Sequence, residues 1–250
     1  MELTVVIPAY NEAAKIECDL VAARDYLQLK GACEILVVDD GSTDDTHRIV
    51  ERFIARHDKS CSVAIRLLSY GGNRGKGFAV RHGILESKGR RVAFVDSGLC
   101  VPYSNLDRGL AMIDQGFDVA IASRRLEGAC VKRRQPIYRR VGSHVFWRLM
   151  RMVMGIGVTD TQCGFKVYRG GAARQLFSFV KTDGFMFDIE ALCEAQRQDM
   201  AIAEFPVEWS NDNDTRYRPV LGTCKNFTEL FWIRYRQLFT RRRLCETRLP

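Results

Sequence analysis

The feature that most constrains this chain is an alternation carried through its first half. Apolar, β-branched runs of strand length exchange with segments whose apolar residues recur at helical spacing. LTVVIPA (3–9) precedes EAAKIECDLVAARDYLQLK (12–30), in which Ile16, Leu20, Ala23 and Leu27 share one helix face. CEILVVDD precedes TDDTHRIVERFIARH, with Ile49, Val50, Phe53 and Ile54 inward. SVAIRLLS and GFAVRHGILESK repeat the pair, RRVAFVD and SNLDRGLAMIDQG follow, and DVAIAS closes the series. Strands alternating with helices imply crossover connections and a Rossmann-like α/β fold, a mostly parallel sheet flanked by helices. Ligands of such sheets bind at the carboxyl ends of the strands. The segments leaving the strands are PAYNE, DDGSTDD, YGGNRGKG, DSGLC and SRR, so the unusual polar clusters fall on one edge. Ser42 or Thr43 is expected to cap the second helix, with Asp44 and Asp45 in its first turn, and Ser104 to cap the fourth.

The second half differs. Residues 131–151 contain no acid, and over 131–158 Arg and Lys mix with Phe146, Trp147, Leu149, Met150, Met152, Val153 and Met154. TDTQCGFKVYRG reads as a loop and short strand, DGFMFDIEALCEAQRQ as a helix beginning near Asp188, and MAIAEFPVEW as a strand. The tail, FTELFWIRYRQLFTRRRL, is again basic and aromatic. No repeat or low-complexity linker appears. One domain is therefore expected over 1–212, with halves 1–125 and 126–212 and an amphipathic helix at about 137–154. A basic amphipathic extension of C-terminal helices is expected over 213–250. Interfacial helices pair basic with large apolar residues in this way, although core-packing helices with solvated arginines do so too.

Composition narrows the partners. The 250 residues carry a formal charge of +8, which fits nucleic acid, anionic lipid or a phosphorylated ligand. The nine cysteines are odd in number, widely spaced and free of any C-x-x-C, which excludes a disulfide framework and a zinc site. MELTVVIPAY reads as a strand rather than a signal peptide. No uncharged run of about 18 apolar residues occurs, so no transmembrane helix is expected.

Each strand exit has two readings. PAYNE offers the Tyr10 ring and the Glu12 carboxylate after Pro8 ends the ladder, or it is only a turn before a helix. Asp39 and Asp40 suit a nucleobase N–H or ribose hydroxyl, yet Asp in this setting also forms Asx-turns and caps. GGNRGKG is not a Walker A loop: Gly71 and Gly75 stand one residue too close and no Ser or Thr follows Lys76. Its backbone, Arg74 and Lys76 still suit a diphosphate, unless the loop is mere surface. Asp96 alone can anchor Mg²⁺ if the ligand brings phosphates. Gly98 supplies no side chain, and Cys100 is a soft ligand poorly matched to that ion. The four histidines form no ligand pair and accompany no nucleophile motif.

In this order VVIPAYNE, VVDDGSTD, GGNRGKGFAVRHGI, FVDSG and ASRR resemble the family 2 inverting glycosyltransferases of GT-A fold. TDTQCGFKVY followed by DGFMFDIE is similar to the polyprenyl-phosphate sugar synthases, and DTQCGFK to the dolichyl-phosphate β-glucosyltransferases rather than the mannosyl type. The resemblance covers roughly residues 3–210. It implies transfer of a hexose, glucose above mannose, from a nucleotide-sugar donor to a polyprenyl or dolichyl phosphate, with inversion. UDP-glucose is favoured over GDP-mannose. By position, Pro8, Tyr10, Glu12, Asp39, Asp40, Asn73 and Lys76 would hold the nucleotide. Asp96 would hold Mg²⁺ or Mn²⁺ as the first acid of the family's D-x-D, with Gly98 where the second belongs. Arg124 and Arg125 would face the phosphates, Arg139 and Arg140 the acceptor phosphate. Asp188 would orient the acceptor, or cap its helix. A peripheral place on the cytoplasmic face of an anionic membrane follows from such an acceptor. The alternatives are a nucleotide-sugar-binding protein without catalysis and a transferase acting on a soluble glycan. A nucleic-acid partner, motivated by charge alone, predicts neither PAYNE nor VDDGSTD and is not expected.

Overall fold

The computed structural model describes residues 1–57, 61–132, 148, 153–210 and 225–237. A seven-stranded sheet runs in the order β3-β2-β1-β4-β7-β5-β8. Its strands are β1 Leu3–Ala9, β2 Cys33–Asp39, β3 Val63–Ser69, β4 Arg91–Val95, β5 Val119–Ser123, β7 Phe165–Arg169 and β8 Ile202–Pro206. A second, two-stranded sheet joins β6 Cys130–Val131 to β9 Glu208–Trp209. β1, β2 and β5 are buried along their whole length, which is why they read as continuous apolar runs rather than alternating ones.

Helices cover both faces. On one, α1 Ile16–Leu27, α2 Thr46–Arg56 and α4 Leu106–Asp114 pack Leu20, Phe53 and Leu106 against Val5 and Ile7. On the other lie α3 Lys76–Glu86, α5 Gly170–Phe179 and α6 Phe187–Arg197, with Val80, Phe177 and Ile189 against Val6 and Phe94. Residues 225–237 are helical and add Leu230 and Ile233 to that second core. Among the described residues no helix is long and apolar enough to cross a membrane. The seven described cysteines are free thiols.

Two arrangements position the site. Ala9, Asp39 and Ser69 end their parallel strands in register, so three exits emerge side by side. β7 runs antiparallel between β4 and β5, so the segment entering it, 159–164, arrives at the same edge. Asp96 N–H donates to Gly164 O at 2.8 Å and joins that entry to the β4 exit.

Several local expectations differ from the fold. The N-cap of α2 is Asp45 rather than Ser42 or Thr43, and it is Asp44 Oδ1 that accepts the Thr46 N–H, at 2.9 Å. Ser42 instead accepts the Asn11 N–H. The fourth helix opens through a 3-10 turn over Tyr103–Asn105, with Asn105 Nδ2 on Pro102 O and no cap from Ser104. Helix α5 has no counterpart among the elements expected from the sequence, and two glycines open it. Most of the helix expected at 137–154, and Arg139 and Arg140 with it, lies outside the described residues.

Candidate active site

The strand exits are stitched to one another before they form a cavity. Asn11, at φ 55°, accepts the Thr43 N–H on Oδ1 at 2.7 Å, while Glu12 N–H donates to Thr46 Oγ1. Asp40 then fixes the glycine loop. Its two oxygens accept the N–H groups of Arg74 and Gly75 at 2.7 and 2.9 Å, and Tyr70 Oη donates to it at 2.9 Å. The loop amides at 74 and 75 are thus satisfied from within the protein. Asp39 faces away: it accepts the Ser42 N–H at 3.0 Å and pairs with His47 Nδ1 at 3.0 Å. Both aspartates of the β2 exit therefore shape backbone.

A cavity of about 410 Å³ opens where these loops meet. Pro8, Tyr10, Glu12, Asp40, Asn73, Lys76 and Asp96 line it, and Asp39 does not. The wall is completed by Ser97 and Cys100 of the β4 exit, by Gly184 and Phe185, and by Lys225. Lys225 belongs to the 225–237 helix, far along the chain from every strand-exit motif that lines the cavity with it. That distance hid it from any local reading of the sequence.

Lys76 Nζ rests on Asp96, 2.7 Å from Oδ1 and 2.8 Å from Oδ2. Only the second contact is aligned as a hydrogen bond; the buried Oδ1 is held by charge without one. Burial alone would push the ammonium down. Asp96 and Asp188 together outweigh it and hold the Lys76 pKa above its ordinary value. Gly164 makes room for the carboxylate, since a Cβ there would lie 1.8 Å from Asp96 Oδ2.

Three further predicted residues, Asp188, Arg124 and Arg125, are not part of the cavity lining. Asp188 is neither an N-cap nor part of the cavity. Met186 precedes α6 as its cap position, and Asp188 Oδ1 accepts from Lys166 Nζ at 2.6 Å with both side chains nearly inaccessible. Burial raises its pKa, and Lys166 and Lys76 offset that only in part. Arg124 is clamped by Asp160 through Nε at 2.7 Å and Nη2 at 2.8 Å, with its own N–H on the same carboxylate. Burial pushes the Asp160 carboxyl up, but the guanidinium outweighs it and holds the pKa below the ordinary value. Neither Arg124 nor Arg125 lines the cavity; burial lowers the Arg125 pKa.

The β4 exit lacks the donors of a resident divalent ion. Gly98, at φ 97°, turns its N–H onto Asp19 Oδ2 at 2.8 Å, and Leu99 N–H takes Asp19 Oδ1 at 3.1 Å. Among the described residues no three His, Cys, Asp or Glu side chains converge to hold a metal. With Lys76 already on Asp96, the donor set does not fit Mg²⁺ or Mn²⁺ as a resident ion.

Residues 4–177 match the sequence profile described as glycosyl transferase family 2. The chain belongs to this family. It is a GT-A glycosyltransferase, with the loops that line the cavity gathered at the strand exits. A Dictyostelium discoideum protein named dolichyl-phosphate beta-glucosyltransferase is 31% identical over 248 residues, covering 94% of this chain and 75% of that one. One of the same name from Saccharomyces cerevisiae is 32% identical, covering 93% and 74%. Among solved structures, Mycobacterium tuberculosis glucosyl-3-phosphoglycerate synthase in complex with Mn²⁺, UDP and phosphoglyceric acid superposes with a TM-score of 0.66. It is 22% identical, covers 93% of this chain and 78% of its own, and supports the fold.

The family 2 motifs quoted from the sequence contain Asp160, Gly164 and Lys166, but nothing in their letters assigns them work. Asp19 was overlooked as well: it stands three residues after Ile16 and four before Ala23, beside the buried stripe of α1, where an acid reads as a first-turn residue rather than a partner for the β4 exit.

Proposed function

We propose that this glycosyltransferase moves glucose from UDP-glucose to a dolichyl or polyprenyl phosphate, with inversion, at the cytoplasmic face of a membrane. The observation that carries the reading is the convergence of Tyr10, Glu12, Asp40, Asn73, Lys76 and Asp96 on one cavity. It is supported by the names of relatives that match nearly the whole chain.

A lipid monophosphate has its second pKa at about 6 and is largely dianionic near neutral pH. It is already a nucleophile, so the site needs no general base, in keeping with the three described histidines, His47, His57 and His82, which line no part of the cavity. Catalysis then reduces to holding donor and acceptor in line and taking up charge on the departing diphosphate. Pro8, Tyr10, Glu12, Asp40 and Asn73 hold the nucleoside side. Lys76, aimed by Asp96, meets the diphosphate. Arg124 acts through Asp160 by fixing the β5 exit, and Asp188 acts through Lys166 and Lys76. Arg139 and Arg140 remain the proposed partners of the acceptor phosphate. Any Mg²⁺ or Mn²⁺ ion arriving with the donor would meet Asp96 already paired with Lys76.

The test is transfer of radiolabelled glucose from UDP-glucose to dolichyl phosphate in vesicles, beside a GDP-mannose arm. A β-linked glucolipid is expected. Asp96→Ala should lower turnover by about a hundredfold or more. UDP-glucose binding without any glycolipid would identify a non-catalytic binding protein instead.

A further inference from the structure

The β4 exit is locked in a form that cannot recruit a second acid. Position 98 has no side chain, its backbone sits at φ 97°, and its amide is tied to the buried Asp19. Cys100, from the same turn, offers only a soft donor at the wall. Asp40 is committed to Tyr70 and two loop amides.

Against this, the Lys76 ammonium is firmly placed. Lys76 is the first residue of α3, and the next two amides, of Gly77 and Phe78, both donate to Asp183 O, at 2.8 and 3.2 Å. A Cβ at Gly77 would lie 2.4 Å from Thr182 O, so the helix start abuts the 182–184 backbone with no slack. From that root the side chain reaches Asp96 through both carboxylate oxygens and faces the cavity.

We propose that Lys76 is the resident cation of the diphosphate site. Held by Asp96, it takes the charge that a divalent ion takes in a two-carboxylate site, and donor binding in this chain does not require a metal. The inference rests on the reading that the cavity accepts a nucleoside-diphosphate sugar. In the transfer step the bond from the anomeric carbon to the diphosphate oxygen breaks, and its electron pair stays on that oxygen beside Lys76. An oxygen of the acceptor phosphate forms the new bond to the same carbon. No proton or electron need be supplied from elsewhere.

The experiment is calorimetric titration of the full chain with UDP, in EDTA and in Mn²⁺, with Mn²⁺ alone followed by electron paramagnetic resonance. The dissociation constant for UDP should agree within about threefold between the two buffers. Mn²⁺ alone should stay free in solution. Lys76→Met should weaken UDP binding in EDTA by about tenfold or more, and Lys76→Arg should retain most of it. UDP binding that appears only with Mn²⁺, or Mn²⁺ bound tightly without nucleotide, overturns the proposal and leaves the glucosyl-transfer reading intact. Failure of both UDP and GDP to bind in either buffer overturns that reading, and the cation inference with it.

Discussion

Lys166 and Asp188 form an ion pair that the sequence gives no means of finding. A lysine in FKVYR looks like the solvent side of a strand, yet its side chain is 1% exposed and the carboxylate it meets 5%. Removing one partner leaves the other charged and buried. Asp188→Ala should therefore destabilise the fold by about 3–5 kcal/mol, whereas Lys166→Met with Asp188→Leu should recover most of that loss. Urea denaturation separates the two outcomes, and an unchanged midpoint in Asp188→Ala would mean the pair contributes nothing. Asp19 makes a second case. Burial raises its pKa from 3.8 to about 6, against the opposing pull of the Gly98 and Leu99 amides. The folded state thus keeps a proton that the unfolded chain has already lost. Its stabilising contribution is complete below the unfolded value and disappears as pH rises through about 6. The fall amounts to about 3 kcal/mol at most. Asp19→Asn should flatten the decline of unfolding free energy across that window, measured by urea titrations at successive pH values.

At the scale of elements, the site depends on α3 starting against the 182–184 segment. Gly77→Ala would put a methyl group 2.4 Å from Thr182 O and 2.7 Å from Gly184 O, both backbone atoms that cannot step aside alone. The helix start must retreat and carry Lys76 away from Asp96. A loss of about 1–3 kcal/mol in stability is expected, with UDP affinity lowered alongside it. Unaltered UDP binding in a destabilised variant would show that the abutment does not position Lys76. The strands and helices up to β5 were legible because buried strands read as short apolar runs and the helices between them carry a helical period. The antiparallel direction of β7 was not, since period-two patterning is the same in either direction, and only the direction brings 159–164 to the site. The cap of α2 was missed for a related reason. Ser42, Thr43 and Asp44 are all competent caps, but Asn11 and Glu12 of a neighbouring exit engage Ser42, Thr43 and Thr46, and the cap position falls to Asp45. Cavity residues contributed by the exits themselves were readable; Phe185 and Lys225, brought in by tertiary packing, were not.

Across the whole molecule, charge and exposed aromatic surface point the same way. The 225–237 helix buries Leu230 and Ile233 in the core and turns Phe227, Phe231, Trp232 and Tyr235 outward. The last three rings pack on one another as a patch. Lys225, at the start of the same helix, lines the cavity, as does the exposed Phe185. A lipid phosphate entering beside that helix would keep its chain among aromatic rings while its headgroup met an ammonium. Trp and Tyr favour the headgroup level of a bilayer, and a net charge of +8 favours anionic lipid. Binding to anionic vesicles should be strong at low ionic strength and fall as salt is raised, because the charge contribution is screened. Phe231→Ser with Trp232→Ser should weaken it by about tenfold or more. The melting temperature should hardly change, because both rings stand in solvent in the free protein. Equal affinity for neutral and anionic vesicles would remove the electrostatic part of this account, and no vesicle binding at low salt would remove all of it.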